Sequence, residues 1–227
     1  MSETVNVSRI DHEARHRALV EELVAGLRPV RRLWPTSLRL ILWMALEATV
    51  LLFVIFHSGR TDLVRQLANP WYLLGIGSFA IAGLIGAAFA LRSAVPGSEP
   101  SSIETGLLLV LAVASALLLL RQPLNGAIPL GKFIDQGLPC AFETMLLAAV
   151  PWLALVIAVR RGAPLSAGLD GGLVGAAAFL SAFALMRVNC PIDEGWHLFV
   201  WHFLPVVAGI GLSSGVGYLL FRRRIGR

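Results

Sequence analysis

The sequence predicts an all-α membrane protein with six transmembrane helices, and three properties of the chain support this fold class. Hydrophobic residues make up 56% of the 227 residues and charged residues only 15%, whereas soluble domains are about a quarter charged. The mean hydropathy is +0.74. Six apolar runs are each long enough to cross a bilayer core, which takes about 20 helical residues. A water-soluble domain is therefore not expected.

Residues 1–37 are predicted to be a cytoplasmic segment that contains one helix, at about residues 8–28. Ser8 stands three residues before Asp11, which is a pattern typical of a helix start. An apolar stripe recurs at helical spacing and consists of Val20, Leu23, Val24 and Leu27. The helix is therefore expected to be amphipathic.

This apolar stripe is suited either to the lipid surface or to a groove on a cytoplasmic protein. Residues 11–27 carry four acidic and two arginine side chains. An anionic membrane surface repels such a segment. The charge therefore favours a protein partner.

The six apolar runs define the predicted transmembrane bundle, and a basic tail occupies residues 222–227. The runs are residues 38–57, 71–91, 103–120, 139–159, 169–186 and 195–221. Fourteen arginines fall on one side of this topology and five basic residues on the other. Because cytoplasmic loops carry the excess of basic residues, both termini are expected in the cytoplasm, at a bacterial inner membrane.

Glycines at helical spacing predict close packing of the last two spans. The small-residue pairs are Gly168, Gly171, Gly172 and Gly175 in the fifth run, and Gly211 with Gly215 in the sixth. Small residues at such spacing allow transmembrane helices to approach closely.

The only two cysteines, Cys140 and Cys190, fall at span ends that face the same outer compartment. If the fourth and fifth spans are neighbours, the two thiols can approach to disulfide distance. We interpret them as a reactive or metal-binding pair, the alternative being two inert small side chains.

Histidines lie at a similar level and are candidate partners of the thiols in a soft-metal site. His197 is the favoured candidate, and the weaker ones are His57, His202 and Asp193. His197 and His202 are five residues apart, so on a regular helix they project about 140° from each other. They are therefore not expected to chelate one ion together.

Two carboxylates, Glu47 and Glu143, are predicted inside spans one and four. Ionisable groups in a membrane are costly and often functional, which suggests proton-coupled transport with His202 as a further member. A structural role is an equal alternative, since Glu143 lies near the interface and Glu47 can be neutral or hydrogen-bonded.

Several short stretches resemble a known family, and the last of them is the most specific. They are Pro29–Leu33, Asn69-Pro70, Arg92–Gly97, Cys140, Arg160–Pro164, and the closing run with Cys190-Pro191, Asp193, His197, Trp201-His202 and Pro205. Together, over roughly residues 19–224, they resemble the NrsF family of six-span bacterial membrane proteins, which negatively regulate extracytoplasmic-function sigma factors. The resemblance implies that residues 10–28 bind the sigma factor and that Cys140 and Cys190 sense metal or oxidative stress from the periplasm.

The sequence therefore predicts a membrane-embedded anti-sigma factor whose partners are an extracytoplasmic-function sigma factor and the lipid bilayer. No catalytic residue, enzymatic activity or resident cofactor is expected, apart from a transient heavy-metal ion at Cys140 and Cys190. Direct nucleic-acid binding is not expected, because the arginines flank spans instead of alternating with aromatic residues. The alternative function is a proton-coupled small-molecule transporter. A thiol oxidoreductase fits poorly, since its cysteines are usually closely spaced.

Overall fold

A computed structural model describes the chain in three backbone ranges, residues 3–25, 32–122 and 129–225, with side chains for residues 14–25, 32–122 and 129–222. The described residues form helices and connecting turns, with no strand among them. This confirms the all-α fold class. The chain divides into an amino-terminal unit, residues 1–33, and a bundle unit, residues 34–227.

In the amino-terminal unit, one helix extends over Glu3–Ala25. The predicted start at residue 8 is wrong: Ser8 lies inside the helix, because no glycine or proline interrupts the chain before Gly26. The side chains of Val20, Leu23 and Val24 are exposed. Leu27, the fourth member of the predicted stripe, lies outside the described residues.

The bundle unit contains six helices that are long and apolar enough to span a membrane, as predicted. We call them spans 1 to 6: Thr36–His57, Pro70–Ser93, Ser102–Arg121, Leu130–Arg160, Ala167–Asn189 and Gly195–Arg222.

One connection between spans contains a short helix, and one span ends in an irregular turn. A short helix, Leu63–Leu67, lies between spans 1 and 2. Span 3 is α-helical over Ser102–Leu117 and ends in a 3-10 turn, Leu118–Arg121.

Span 4 begins at Leu130 and not at Pro139, where the apolar run suggested its start. Pro139 and Pro151 both lie inside this helix. Each proline removes one helical hydrogen bond, but neighbouring spans restrain the helix there. The indole nitrogen of Trp43 in span 1, for example, donates to the carbonyl oxygen of Pro151 over 3.3 Å.

Span 6 is built from three successive segments. An α-helical turn, Gly195–His197, leads into a π-helical turn, Leu198–Phe203. A regular α-helix then continues over Leu204–Ile225. The π-helical turn determines the geometry of the candidate site described below.

Span 5 is the central helix and packs against spans 2, 4 and 6. Its neighbours approach its backbone closely because the contact positions are small residues. A Cβ atom added at Gly83 or Gly86 of span 2 would lie about 3.0 Å from the backbone of Ala177. Larger residues at these positions would force the helices apart.

Spans 5 and 6 meet at Gly171 and Gly217. A Cβ atom at Gly171 would lie 2.5 Å from the Ser213 carbonyl oxygen and 2.7 Å from the Cα atom of Gly217. The prediction that Gly211 and Gly215 make this packing is wrong, since a Cβ atom at either position meets open space. The span 6 face that contains Gly217 is turned toward span 5 instead.

Replacing Gly171 by valine tests this close contact. We expect Gly171→Val to lower the free energy of unfolding by about 2 kcal/mol, because the added methyl groups overlap the backbone of span 6. Gly215→Val is the matched control and should change it by less than about 0.5 kcal/mol. Unfolding in mixed detergent micelles measures both, and equal destabilisation would contradict the assigned packing.

Candidate functional site

Two thiols and two imidazoles meet at one end of the bundle unit. Cys140 lies in the early part of span 4, Cys190 directly follows span 5, and His197 and His202 lie at the start of span 6. Their sulfur and nitrogen atoms all lie within 4.8 Å of one another, and three of the four side chains are buried. We call these four residues the Cys/His cluster. Both cysteines are free thiols.

The distances within the Cys/His cluster are short. The two Sγ atoms are 3.8 Å apart. The Sγ atom of Cys190 lies 3.5 Å from Nε2 of His197, and the Nε2 atoms of the two histidines are 3.2 Å apart. Packing of span 4 against span 5 thus brings the sulfurs together, as their positions in the sequence led us to expect.

His197 and His202 approach each other because of the π-helical turn, Leu198–Phe203. The expectation that they project apart is wrong, since it assumed a regular α-helix. In a π-helical turn the hydrogen bonds run from residue i to i+5, so residues five apart come to the same side. Pro205 has no amide hydrogen to bond the Trp201 carbonyl. The regular α-helical pattern is therefore interrupted at this point.

Glu194 fixes the start of the helix that presents His197. Its buried carboxylate accepts hydrogen bonds from the backbone amides of Trp196 and His197, over 3.2 and 2.9 Å. A carboxylate at this position stabilises the exposed amides and the positive end of a helix. It thereby holds His197 beside Cys190.

Trp201 joins spans 4 and 6 next to the Cys/His cluster. Its indole packs directly over Gly137, where any side chain would collide with the ring. Its ring centroid also lies 5.4 Å from that of Phe133. Since Gly137 precedes Cys140 by three residues and Trp201 precedes His202, this contact positions a thiol relative to an imidazole.

Arg60, in the loop after span 1, anchors the segment that contains Cys190. Its buried guanidinium contacts both oxygens of Asp193, at 3.1 and 2.7 Å, and both oxygens of Asp62, at 2.6 and 3.1 Å. It also donates to the carbonyl oxygen of Cys190 over 3.2 Å. Arg187 reaches Asp193 from span 5 over 2.6 Å. Asp193, a weaker candidate for the site itself, thus lies in this ion network.

The network and the thiol pair shift three pKa values. Burial lowers the pKa of Arg60, but its hydrogen bonds to Asp193 and Asp62 outweigh burial and raise it overall. The hydrogen bond from Arg60 holds the pKa of Asp62 well below 3.8. The hydrogen bond with Cys140, aided by His197, lowers the pKa of the Cys190 thiol against the effect of burial. Cys190 is therefore the sulfur that more readily forms a thiolate, the state that attacks oxidants and binds metals.

The remaining polar candidates are not members of the Cys/His cluster. His57 is exposed and stacks on Phe53, with ring centroids 5.2 Å apart. Glu143 is exposed and accepts a hydrogen bond from Asn189 over 2.9 Å. Glu47 is partly buried in span 1, and one of its carboxylate oxygens has no hydrogen-bond partner. Among the described residues, the titratable side chains grouped with His202 are Cys140, Cys190 and His197, and neither Glu47 nor Glu143. The transporter alternative therefore gains no support.

Comparison with known families identifies the chain. Residues 23–223 match the sequence profile of NrsF, described as a negative regulator of sigma F. The chain belongs to the NrsF family. The resemblance seen in the sequence is thereby confirmed, and the chain is a negative regulator of a sigma factor. Neither a curated protein nor a solved structure shows significant similarity to it.

Several residues that build the site in this NrsF-family protein were not predicted from its sequence. They are Arg60, Tyr72, Arg187, Glu194 and Trp201. Tyr72 donates to the carbonyl oxygen of Arg187 over 2.5 Å, and its ring lies 4.9 Å from that guanidinium carbon. The signal for the ion network was the presence of acidic residues between spans 5 and 6, which can pair with arginines at other span ends, and the signal for Trp201 was its place in the closing run of the family resemblance.

Arg60→Gln tests whether the ion network positions Cys190 in this NrsF-family protein. We expect a loss of about 2 kcal/mol in the free energy of unfolding, because two carboxylates lose their buried cation. Alkylation of Cys190 should accelerate about tenfold, since its segment loses an anchor. Arg65→Gln is the control: its side chain is 81% exposed, and an exposed pair contributes little. Equal alkylation rates in the two variants would contradict this role for Arg60.

Proposed function

We propose that this NrsF-family protein is a membrane-embedded anti-sigma factor that sequesters an extracytoplasmic-function sigma factor in the cytoplasm. Modification of Cys140 and Cys190 by a metal ion or an oxidant in the periplasm releases the sigma factor. The family supports negative regulation of a sigma factor. The observation that carries the sensing step is the convergence of both free thiols on two imidazoles.

The distribution of basic residues supports an outward-facing Cys/His cluster. The cluster lies at the end of the bundle unit that holds the loop after span 1, since Arg60 contacts Cys190. Arginines are concentrated at the other end, as in Arg92, Arg160 and Arg161. By the positive-inside rule that end faces the cytoplasm, together with the amino-terminal helix. Cys140, the partly exposed thiol of the pair, then faces the periplasm.

The amino-terminal helix is the proposed sigma-binding element. Val20, Leu23 and Val24 are 55%, 63% and 58% exposed, which leaves an apolar surface available to a partner. Burying one such side chain contributes about 2 kcal/mol. The acidic residues Glu21 and Glu22 beside the stripe favour a protein surface over anionic lipid.

The ion network supplies a physical connection from the Cys/His cluster to span 1. Arg60 donates through its backbone amide to the Val188 carbonyl and through its side chain to the Cys190 carbonyl, over 3.1 and 3.2 Å. Movement of the Cys190 segment therefore acts on the loop that directly follows span 1. Raising free sigma factor from about 1% to 50% takes a change of about 100-fold in affinity, or about 2.7 kcal/mol. The free energy of forming one disulfide or one metal site is large enough to supply this difference.

Replacing both cysteines by serine tests the sensing step. We expect the Cys140→Ser, Cys190→Ser double variant to repress the sigma factor normally but to show no induction by metal or peroxide, because no thiol remains in the chain. A reporter gene transcribed by the sigma factor measures both states in cells. Induction equal to that of the wild type would refute thiol sensing.

Leu23→Asp tests the sigma-binding stripe. A buried carboxylate at this contact should weaken capture of the sigma factor at least tenfold and raise reporter expression without stress. Ala18→Asp carries the same charge on the opposite side of the helix and is the matched control. Co-purification of the sigma factor with the membrane protein measures capture. Equal capture by both variants would show that the stripe is not the contact.

A further inference from the structure

Three separations among the donor atoms of the Cys/His cluster match those of a closed tetrahedral metal site. A zinc ion with bonds of about 2.3 Å to sulfur and about 2.05 Å to nitrogen places its ligands at fixed separations. These are about 3.8 Å for two sulfurs, about 3.6 Å for sulfur and nitrogen, and about 3.3 Å for two nitrogens. In the cluster, the two Sγ atoms are 3.8 Å apart, Cys190 Sγ and His197 Nε2 are 3.5 Å apart, and the two Nε2 atoms are 3.2 Å apart. All four donor atoms lie within 4.8 Å of one another.

The chemistry of the donors selects the ion. Two thiolates and two imidazoles are the ligands of tetrahedral Zn²⁺ sites. Two thiolates also balance the charge of a divalent ion, so the occupied site is neutral. Neutrality matters here because three of the four residues are buried, and an unbalanced charge in a buried site is costly. Arg60 and Arg187 add no net charge beside the site, because Asp62 and Asp193 are paired with them.

We propose that Cys140, Cys190, His197 and His202 bind one Zn²⁺ ion, with both histidines coordinating through Nε2. All four coordination positions are filled by side chains, so the ion has no open position for a substrate and acts structurally. It joins the starts of spans 4 and 6 to the end of span 5. Its regulatory meaning rests on the proposed function, whereas zinc binding itself does not.

Zinc binding and disulfide formation exclude each other, because both use the same two sulfurs. With a peroxide as oxidant, one thiolate takes an oxygen atom as the O–O bond breaks, which gives a sulfenic acid and hydroxide. The second thiolate attacks that sulfur, forms the S–S bond and expels a second hydroxide. In total, two electrons pass from the two sulfurs to the two peroxide oxygens, and two protons convert the two hydroxides to water. Both Zn–S bonds break in the process. Zn²⁺ thereby loses two of its four ligands and leaves the site.

Co²⁺ binding to the purified full-length protein tests the site, since Co²⁺ is a coloured probe of zinc sites. The wild type should bind one Co²⁺ per chain with the visible bands of tetrahedral coordination and a thiolate charge-transfer band, and Zn²⁺ should displace it. Cys140→Ser and His202→Ala should each weaken Co²⁺ binding about 100-fold or more. His57→Ala, which removes a histidine outside the cluster, should bind as the wild type does.

The proposal is overturned if the wild type takes up no Co²⁺ or if His202→Ala binds it with unchanged affinity. Measurements on the wild type alone provide a test that does not depend on folding of the variants. Zn²⁺ should slow alkylation of the thiols at least tenfold, and peroxide should release one Zn²⁺ for each disulfide formed. Equal alkylation with and without Zn²⁺, or zinc retained after disulfide formation, would overturn it as well.

None of these measurements involves the sigma factor, so the zinc proposal and the thiol-sensing proposal can be refuted independently of each other. Absence of zinc binding, combined with loss of induction in the double cysteine variant, would remove the metal site and leave thiol sensing in place. Zinc binding combined with normal induction in that variant would remove thiol sensing and leave the metal site.

Discussion

Span 5 packs against spans 2 and 6 through glycine, alanine and serine, and this close packing determines where Cys190 lies. Within a bilayer, lipid is as apolar as the helix surfaces, so contact area and small residues decide which helices associate. Gly171 against Gly217 fixes span 6, and Ala177 against Gly86 fixes span 2. The end of span 5 is thereby held at one position relative to spans 4 and 6, and a thiol there has defined neighbours.

The ion network completes this arrangement where helix packing ends. The chain between spans 5 and 6 is not helical at Cys190–Glu194, and its carbonyl groups need partners in this partly buried segment. Arg60 supplies two of them from the loop after span 1, while Asp62 and Asp193 together neutralise Arg60 and Arg187. Such buried charges are destabilising unless paired. The Cys190 segment is therefore ordered only as long as the two loops remain together.

The features that the sequence predicted are those set by the bilayer. Six spans follow from the length of the apolar runs, and the approach of Cys140 to Cys190 follows from the short turn between spans 4 and 5. Residues 130–138 are too polar to count as part of an apolar run, so the true start of span 4 was missed. The amino-terminal helix was placed too late because a capping pattern at Ser8 is a local signal that an uninterrupted helix overrides.

The parts of the site that could not be predicted depend on tertiary contacts or on irregular backbone. Arg60 and Asp193 are 133 residues apart in the chain, and no periodicity links them. The histidine pair was misjudged because regular helical geometry was applied to a segment that ends at a proline. Pro205 was visible in the sequence, but a proline inside a span produces a kink, a bulge or neither, according to its neighbours.

The π-helical turn at Leu198–Phe203 has the effect of one surplus residue within span 6. Deleting one residue between His197 and His202 would restore an ordinary helix in which the two histidines are four residues apart and about 40° from each other around the axis. A homologue that is one residue shorter here would therefore still present both imidazoles on one face without a π-helical turn. A homologue that keeps the five-residue spacing on a regular helix would instead separate them by about 140°, so the turn is what makes this spacing compatible with the site.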